Sequence, residues 1–199
     1  PAMLREELKA KRKKGIIGTG AMSDPYIPLE AELGYTRKCL QEIAEQGFGL
    51  AIQTKSDLIL RDIDLLKEIN SNARCIVQIT LTTYEEALCK LIEPAVCGTS
   101  RRVEVLQILR DNNIPTVVWL CPLLPFINDT EANLNGILDY CRDVGVKGIL
   151  NFGIGMTLRQ GNREYFYAKL DEHFPGLRER YVKSFGNSYI INSPNHQSL

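Results

Sequence analysis

Five apolar runs in this chain are each followed by polar residues able to hold or transform a ligand. Thr19, Gly20, Ser23 and Asp24 follow Gly15–Gly18, and Thr54-Lys55-Ser56-Asp57 closes the next run. Thr80, Thr82 and Thr83 end the third, Asn128 and Asp129 lie beyond the fourth, and Asn151, Thr157 and Arg159 follow the fifth. If the runs are parallel strands, their carboxyl ends form one rim, where α/β folds place their sites. One fixed cation, Lys55, suits a carboxylate, and the hydroxyls of Ser23 and Thr80 suit polar groups beside it. The set fits a ligand bearing both carboxylate and amine, or a sugar. Each member also has a plainer reading. Lys55 can be a surface ion pair, Ser23-Asp24-Pro25 a turn, Asn128-Asp129-Thr130 a helix cap, and Thr80 and Thr82 ordinary strand residues.

Other chemistries find less support. His173 and His196 are the only histidines, both far along the chain from the rim, so no Ser/His/Asp arrangement is defensible. Gly15-x-x-Gly18-x-Gly20 lacks the Gly-Lys-Ser/Thr ending of a phosphate loop, and Asp24-Pro25 and Pro28 interrupt any dinucleotide fingerprint. Lys55 as a Schiff-base nucleophile is a minor alternative.

The elements that must carry these residues are legible from periodicity. Continuous aliphatic runs at 16–19, 48–54, 75–81, 116–121 and 146–152 predict strands buried on both faces, as in a parallel sheet. Between them, helices are predicted with caps at Thr36, Asp62, Ser100 and Asn128, and a capping box at Thr83 and Glu86. A first helix is expected over 3–14, and two more over Arg163–Phe174 and Leu177–Phe185. The order α-βα-βα-βα-βα-β predicts an α/β fold with a parallel, partial (β/α)6 TIM-like barrel. A full eight-unit barrel needs about 250 residues. The opening helix has no strand before it, so the first βα unit is expected to be incomplete or missing. One domain is predicted over 1–199, with a barrel core at 15–152, C-terminal helices at 153–186 and a mobile polar tail at 187–199.

The chain has 199 residues, 44% of them hydrophobic, and its 24 basic and 24 acidic residues cancel. That balance gives no general attraction to nucleic acid or membrane. The basic run Lys9–Lys14 reads as a helix end complementing the helix dipole. No stretch approaches the roughly 20 apolar residues of a membrane span, and the N-terminal segment is not an export signal, so a cytoplasmic location is expected. The six cysteines show no C-x-x-C pair and read as buried, reduced thiols. An unpaired sheet edge predicts self-association.

The segments Thr19–Glu30 and Thr54–Asp57 together resemble radical S-adenosylmethionine (SAM) proteins, and most closely the spore photoproduct lyase-like branch, also labelled DNA repair photolyase-like. Ile92-Glu-Pro94, Leu124–Asp129, Gly161–Tyr167 and Gly186–Tyr189 extend the likeness across nearly the whole chain. The resemblance implies a barrel that binds a 4Fe-4S cluster and SAM, reduces the sulfonium, and releases a 5′-deoxyadenosyl radical that takes hydrogen from a substrate. It further implies that Ser23, with Asp24 beside it, and Thr80 contact SAM, and that Lys55 pairs with its carboxylate.

This sequence departs from the family pattern twice. The cluster loop C-x-x-x-C-x-x-C is absent, and the resemblance places it ahead of Pro1. The chain is therefore expected to supply no metal ligand and to be inactive alone, the cluster belonging to the parent protein. Ala21 stands where spore photoproduct lyase has its hydrogen-donating cysteine, which leaves the substrate open. The family label suggests nucleic acid, but the charge balance does not support it. The alternative reading is a non-catalytic barrel serving as a binding or scaffold module.

Overall fold

The computed structural model describes residues 1–197 of the protein. Five strands form one parallel sheet in chain order: β1 (Ile16–Thr19), β2 (Gly49–Thr54), β3 (Cys75–Thr80), β4 (Thr116–Trp119) and β5 (Ile149–Leu150). The register is regular, with Thr19 opposite Ile52, Thr54 opposite Ile79 and Thr80 opposite Trp119, so the carboxyl ends of the strands lie side by side. Helices α1 (Ala2–Ala10), α2 (Glu30–Leu33), α3 (Tyr35–Glu45), α4 (Ile63–Ala73), α5 (Glu86–Ile92), α6 (Thr99–Asp111) and α7 (Glu131–Val144) precede or join the strands. This is the α/β arrangement expected, part of a TIM-like barrel. Its core comes from the central strands, where Ile52, Val77, Ile79 and Val118 meet Ile43, Leu66, Leu106 and Ile137 of the helices.

The edges depart from expectation. β1 pairs only with β2, and its Ile16 is 65% exposed, so this run is not buried on both faces. β5 is two residues rather than seven: Val146 is spent closing α7, its N–H donating to Cys141 O (3.1 Å), and only Ile149 and Leu150 pair with β4. The first helix ends at Ala10, not at 14, since Lys11 is already extended. Arg5 fixes that helix to α3 through a two-pronged contact with Glu42 (2.6 and 2.7 Å).

Several predicted caps do other work. α3 starts after Gly34, and the Thr36 hydroxyl instead donates to Pro25 O (2.6 Å). Glu86 opens α5, but its carboxylate accepts the Ser100 N–H (2.9 Å) and so caps α6, which begins after Gly98. The side chain capping α7 is Thr130, two residues past Asn128. Asn128 holds the preceding loop, accepting from Leu124 N–H and donating to Thr82 O (2.9 Å).

The C-terminal part contains α8 (Asn162–His173) and α9 (Leu177–Phe185), close to prediction, and a second sheet that was not foreseen. In it β6 (Gly155–Thr157) pairs antiparallel with β7 (Ile190–Asn192). The tail over 187–197 is thus tied down. Ser193 is buried and donates to the Asp129 carboxylate, and Asn195 Nδ2 donates to Asp129 O (3.0 Å). The rest of the predicted tail, residues 198–199, lies outside the described residues. Among those residues no helix is long and apolar enough to cross a membrane.

One buried polar knot links α3, α4 and the loop after β1. Asp62 is fully buried. Its carboxylate accepts from the Tyr26 hydroxyl (3.1 Å), from Arg37 (2.9 Å) and from Arg61 (2.9 Å), which also pairs with Glu30 (2.8 Å). Removing the carboxylate leaves the buried Tyr26 hydroxyl without its partner, while Arg37 and Arg61 keep Asp64 and Glu30. Asp62→Ala should therefore cost about 1–3 kcal/mol of unfolding free energy, read by urea denaturation. The surrounding carboxyls set a pH dependence. Hydrogen bonds from Arg37 hold Asp64 down to about 2, and the Thr36 N–H and Arg61 outweigh desolvation to hold Glu30 low. Folded values below unfolded ones mean stability that is full above the unfolded pKa and lost as pH falls through the folded one. The melting temperature should thus fall steadily as pH drops from about 5 to about 2.

Candidate functional site

Ser23, Asp24, Lys55 and Thr80 all line one cavity of about 750 Å³ at the carboxyl ends of the strands. Their positions follow from local geometry. The loop after β1 turns at Gly20 (φ +99°), where an added Cβ would lie 2.0 Å from Gln53 O, so the chain passes directly over the end of β2. The Asp24 carboxylate then fastens the loop there, accepting the Thr54 hydroxyl (2.7 Å) and the N–H groups of Lys55 (2.8 Å) and Tyr26 (2.9 Å). Its oxygens are engaged by its own chain, so Asp24 arranges the rim. Ser23, one residue earlier, is exposed at the mouth. Thr80, at the end of β3, is buried against the floor, and its hydroxyl accepts from Gln53 Nε2 (3.1 Å).

Lys55 reaches the cavity but is not alone. Its ammonium contacts Glu93 Oε1, and Glu93 Oε2 lies 2.8 Å from Arg102 Nη1. Arg102 is 1% exposed and donates to Thr80 O (3.0 Å) and Cys97 O (2.8 Å). Desolvation opposes charge on Glu93, but Arg102 and Lys55 outweigh it and hold the carboxyl below its usual range. Glu93 entered the sequence reading only within the segment Ile92-Glu-Pro94, and Arg102, a charged residue within α6, reads by type as solvated surface.

Two further lining groups escaped the sequence reading. Gln53 interrupts an otherwise apolar strand, and its buried Oε1 has no protein partner. Trp119, at the end of β4, packs against exposed Phe152 with ring centroids 5.1 Å apart and planes tilted by 43°, giving the cavity an aromatic wall. The signal for both was a large or polar side chain at the last inward position of a strand. Of the remaining rim candidates, Thr157 lines the cavity, whereas Arg159 turns to the Tyr189 hydroxyl (3.3 Å) and Asn151 caps the Gly153 N–H (2.8 Å).

The six cysteines are free, with Cys75, Cys89 and Cys141 buried. Burial pushes the Cys75 thiol up to about 12 and Cys141 up to about 11, so both stay protonated near neutral pH. No group of three or more His, Cys, Asp or Glu able to hold a metal ion occurs among the described residues.

Comparison with known proteins places this geometry. The radical SAM superfamily model matches residues 1–134, and the chain belongs to that superfamily. An uncharacterized protein of Methanocaldococcus jannaschii is 36% identical over 128 residues, covering 64% of this chain and 48% of the relative. An uncharacterized protein of Acidianus two-tailed virus is 32% identical over 167 residues, covering 81% of this chain and 53% of that one. The chain spans about half the length of the curated relatives it matches. The crystal structure of Streptococcus suis SuiB shares the fold at 12% identity, with a TM-score of 0.53 over 94% of this chain and 45% of SuiB.

Membership implies an enzyme family that uses SAM and a 4Fe-4S cluster. The residues present fit SAM: the cavity is within the roughly 300–1,000 Å³ of ligand sites, with a cation, hydroxyls, an unpartnered carbonyl oxygen and an aromatic wall. They do not fit the cluster, for which the described residues provide no ligand set. The loop geometry is open to test. Gly20→Ala forces a side chain into the Gln53 carbonyl at positive φ, and should lower stability by more than about 1 kcal/mol in chemical denaturation while opening the cavity mouth.

Proposed function

We propose that this chain is the SAM-holding core of a radical SAM enzyme of the spore photoproduct lyase-like branch. The observation that carries the reading is the convergence of Ser23, Lys55 and Thr80 on one cavity beside an aromatic wall. Lys55 pairs with the methionyl carboxylate of SAM, and the Ser23 and Thr80 hydroxyls bond its polar groups. Trp119 and Phe152 offer aromatic ring faces for the adenine. Asp24 and Gly20 hold the loop that delivers Ser23. Together with a cluster held by other parts of the parent protein, SAM seated at Ser23, Lys55 and Thr80 would supply radical chemistry for taking hydrogen from a substrate. In this proposal the cluster ligands belong to sequence of the parent protein outside this chain, and the chain alone is inactive. Ala21 has no thiol hydrogen to donate, so the spore photoproduct reaction itself is not part of the proposal.

The lack of a cluster ligand set among the described residues favours one second reading, a barrel that binds SAM without cleaving it. Binding and cleavage separate the two. In the full-length gene product, reconstituted anaerobically, dithionite should yield 5′-deoxyadenosine from SAM. SAM binding without that product supports the second reading. Lys55→Met should weaken SAM binding roughly tenfold to a hundredfold by isothermal titration calorimetry, the value of a charge-assisted pair. Unchanged affinity contradicts the assignment of Lys55.

A further inference from the structure

The contact between Lys55 and Glu93 poses a problem for any site meant to hold an anion. A lysine already paired with a carboxylate is electrically satisfied, and a second carboxylate approaching it meets the first. The structure contains the answer on the far side of Glu93. Arg102 sits 2.8 Å from Glu93 Oε2, while Lys55 holds Oε1. The three groups form a chain of cation, anion and cation with a net charge of +1. Arg102 is 1% exposed, Glu93 15% and Lys55 32%, so exposure rises toward the cavity and the surplus charge is presented at the lysine end. The ammonium has three donors, and Glu93 takes one in the contacts seen.

We propose that the buried Arg102 determines the specificity of this site for a carboxylate-bearing ligand, by neutralising Glu93 and so leaving Lys55 free to act as a cation. Glu93 is a positioning residue that holds the Lys55 stem at the cavity wall. Arg102 never meets the ligand. Its guanidinium is fixed by Thr80 O, whose own hydroxyl lies on the cavity floor, and by Cys97 O, whose Sγ in turn donates to Lys55 O (2.9 Å). The second cation is thereby built into the frame that places Lys55 and Thr80. Asp24, the carboxylate that lines the cavity, is held by Thr54, Tyr26 and the Lys55 main chain, so it does not take up the ammonium's partner position. This inference rests on the reading that Lys55 faces the methionyl carboxylate.

The test compares SAM with decarboxylated SAM, which lacks only that carboxylate, by equilibrium dialysis on the full-length gene product. The readout is the ratio of the two dissociation constants. Arg102→Gln makes the triad neutral and should cut the preference for SAM by roughly tenfold or more. Glu93→Gln raises the net charge to +2 and should increase the preference. The double variant returns to +1 and, because the two contacting residues couple, should restore the wild-type ratio to within about threefold. A purely structural role for the pair would change affinity for both ligands together and leave the ratio fixed in all three variants, which overturns the proposal. If Arg102→Gln does not fold, Glu93→Gln and the double variant still give distinct expectations, a raised ratio and a wild-type one. Lys55→Met separates the two levels of argument. Should it leave the ratio as in wild type, the carboxylate reading of Lys55 is wrong and this inference falls with it. Should it abolish the preference while the Arg102 and Glu93 variants leave it untouched, only the inference fails.

Discussion

The site depends on one carboxylate that never needs to touch a ligand. The loop after β1 must leave its own strand and cross the end of β2, and Asp24 makes that crossing by accepting the Thr54 hydroxyl and the N–H groups of Lys55 and Tyr26. Three donors on one anion give a rigid joint, stronger than three neutral hydrogen bonds. It fixes Ser23 beside Lys55, and Gly20 allows the close approach because any side chain there would strike Gln53 O. The parallel register does the rest, setting the end of β3, and therefore Thr80, next to the end of β2. Placement of the loop and of the lysine are one event, so the rim is preorganised rather than assembled around a ligand.

The charge arrangement behind the rim follows similar logic. Glu93 and Arg102 are nearly buried, and burial of charge is tolerated only where partners and hydrogen bonds compensate it. Here the compensation leaves a surplus cation at the one member of the triad that faces the cavity. Farther from the site, the buried Asp62 holds the same loop through the Tyr26 hydroxyl, two residues past the half-buried Asp24, so two carboxylates anchor neighbouring points of the β1 loop.

Much of this was legible in the sequence because parallel sheets leave a strong record. Continuous aliphatic runs separated by helical periods define the strand order, and polar residues at the ends of those runs define the rim. What escaped were features set by partners distant in sequence. Glu86 sits at a capping-box spacing from Thr83, yet it caps α6, because the turn between α5 and α6 brings Ser100 to it. β7 lies in a polar tail that pairs with β6 and is also held by the contact between Ser193 and Asp129, 64 positions apart. Trp119, Gln53 and Arg102 looked like core or surface residues by type. Only their inward positions at the strand ends, or in Arg102 the burial of its whole length, reveal their part in the site.

The account's central claim is that SAM occupies the cavity at the strand ends with its carboxylate at Lys55. An anaerobic co-crystal structure of the full-length gene product with SAM tests it most directly. The account predicts the methionyl carboxylate within hydrogen-bond distance of Lys55 Nζ and the adenine against Trp119 and Phe152. SAM bound outside this cavity, or seated in it with the carboxylate turned away from Lys55, would contradict it.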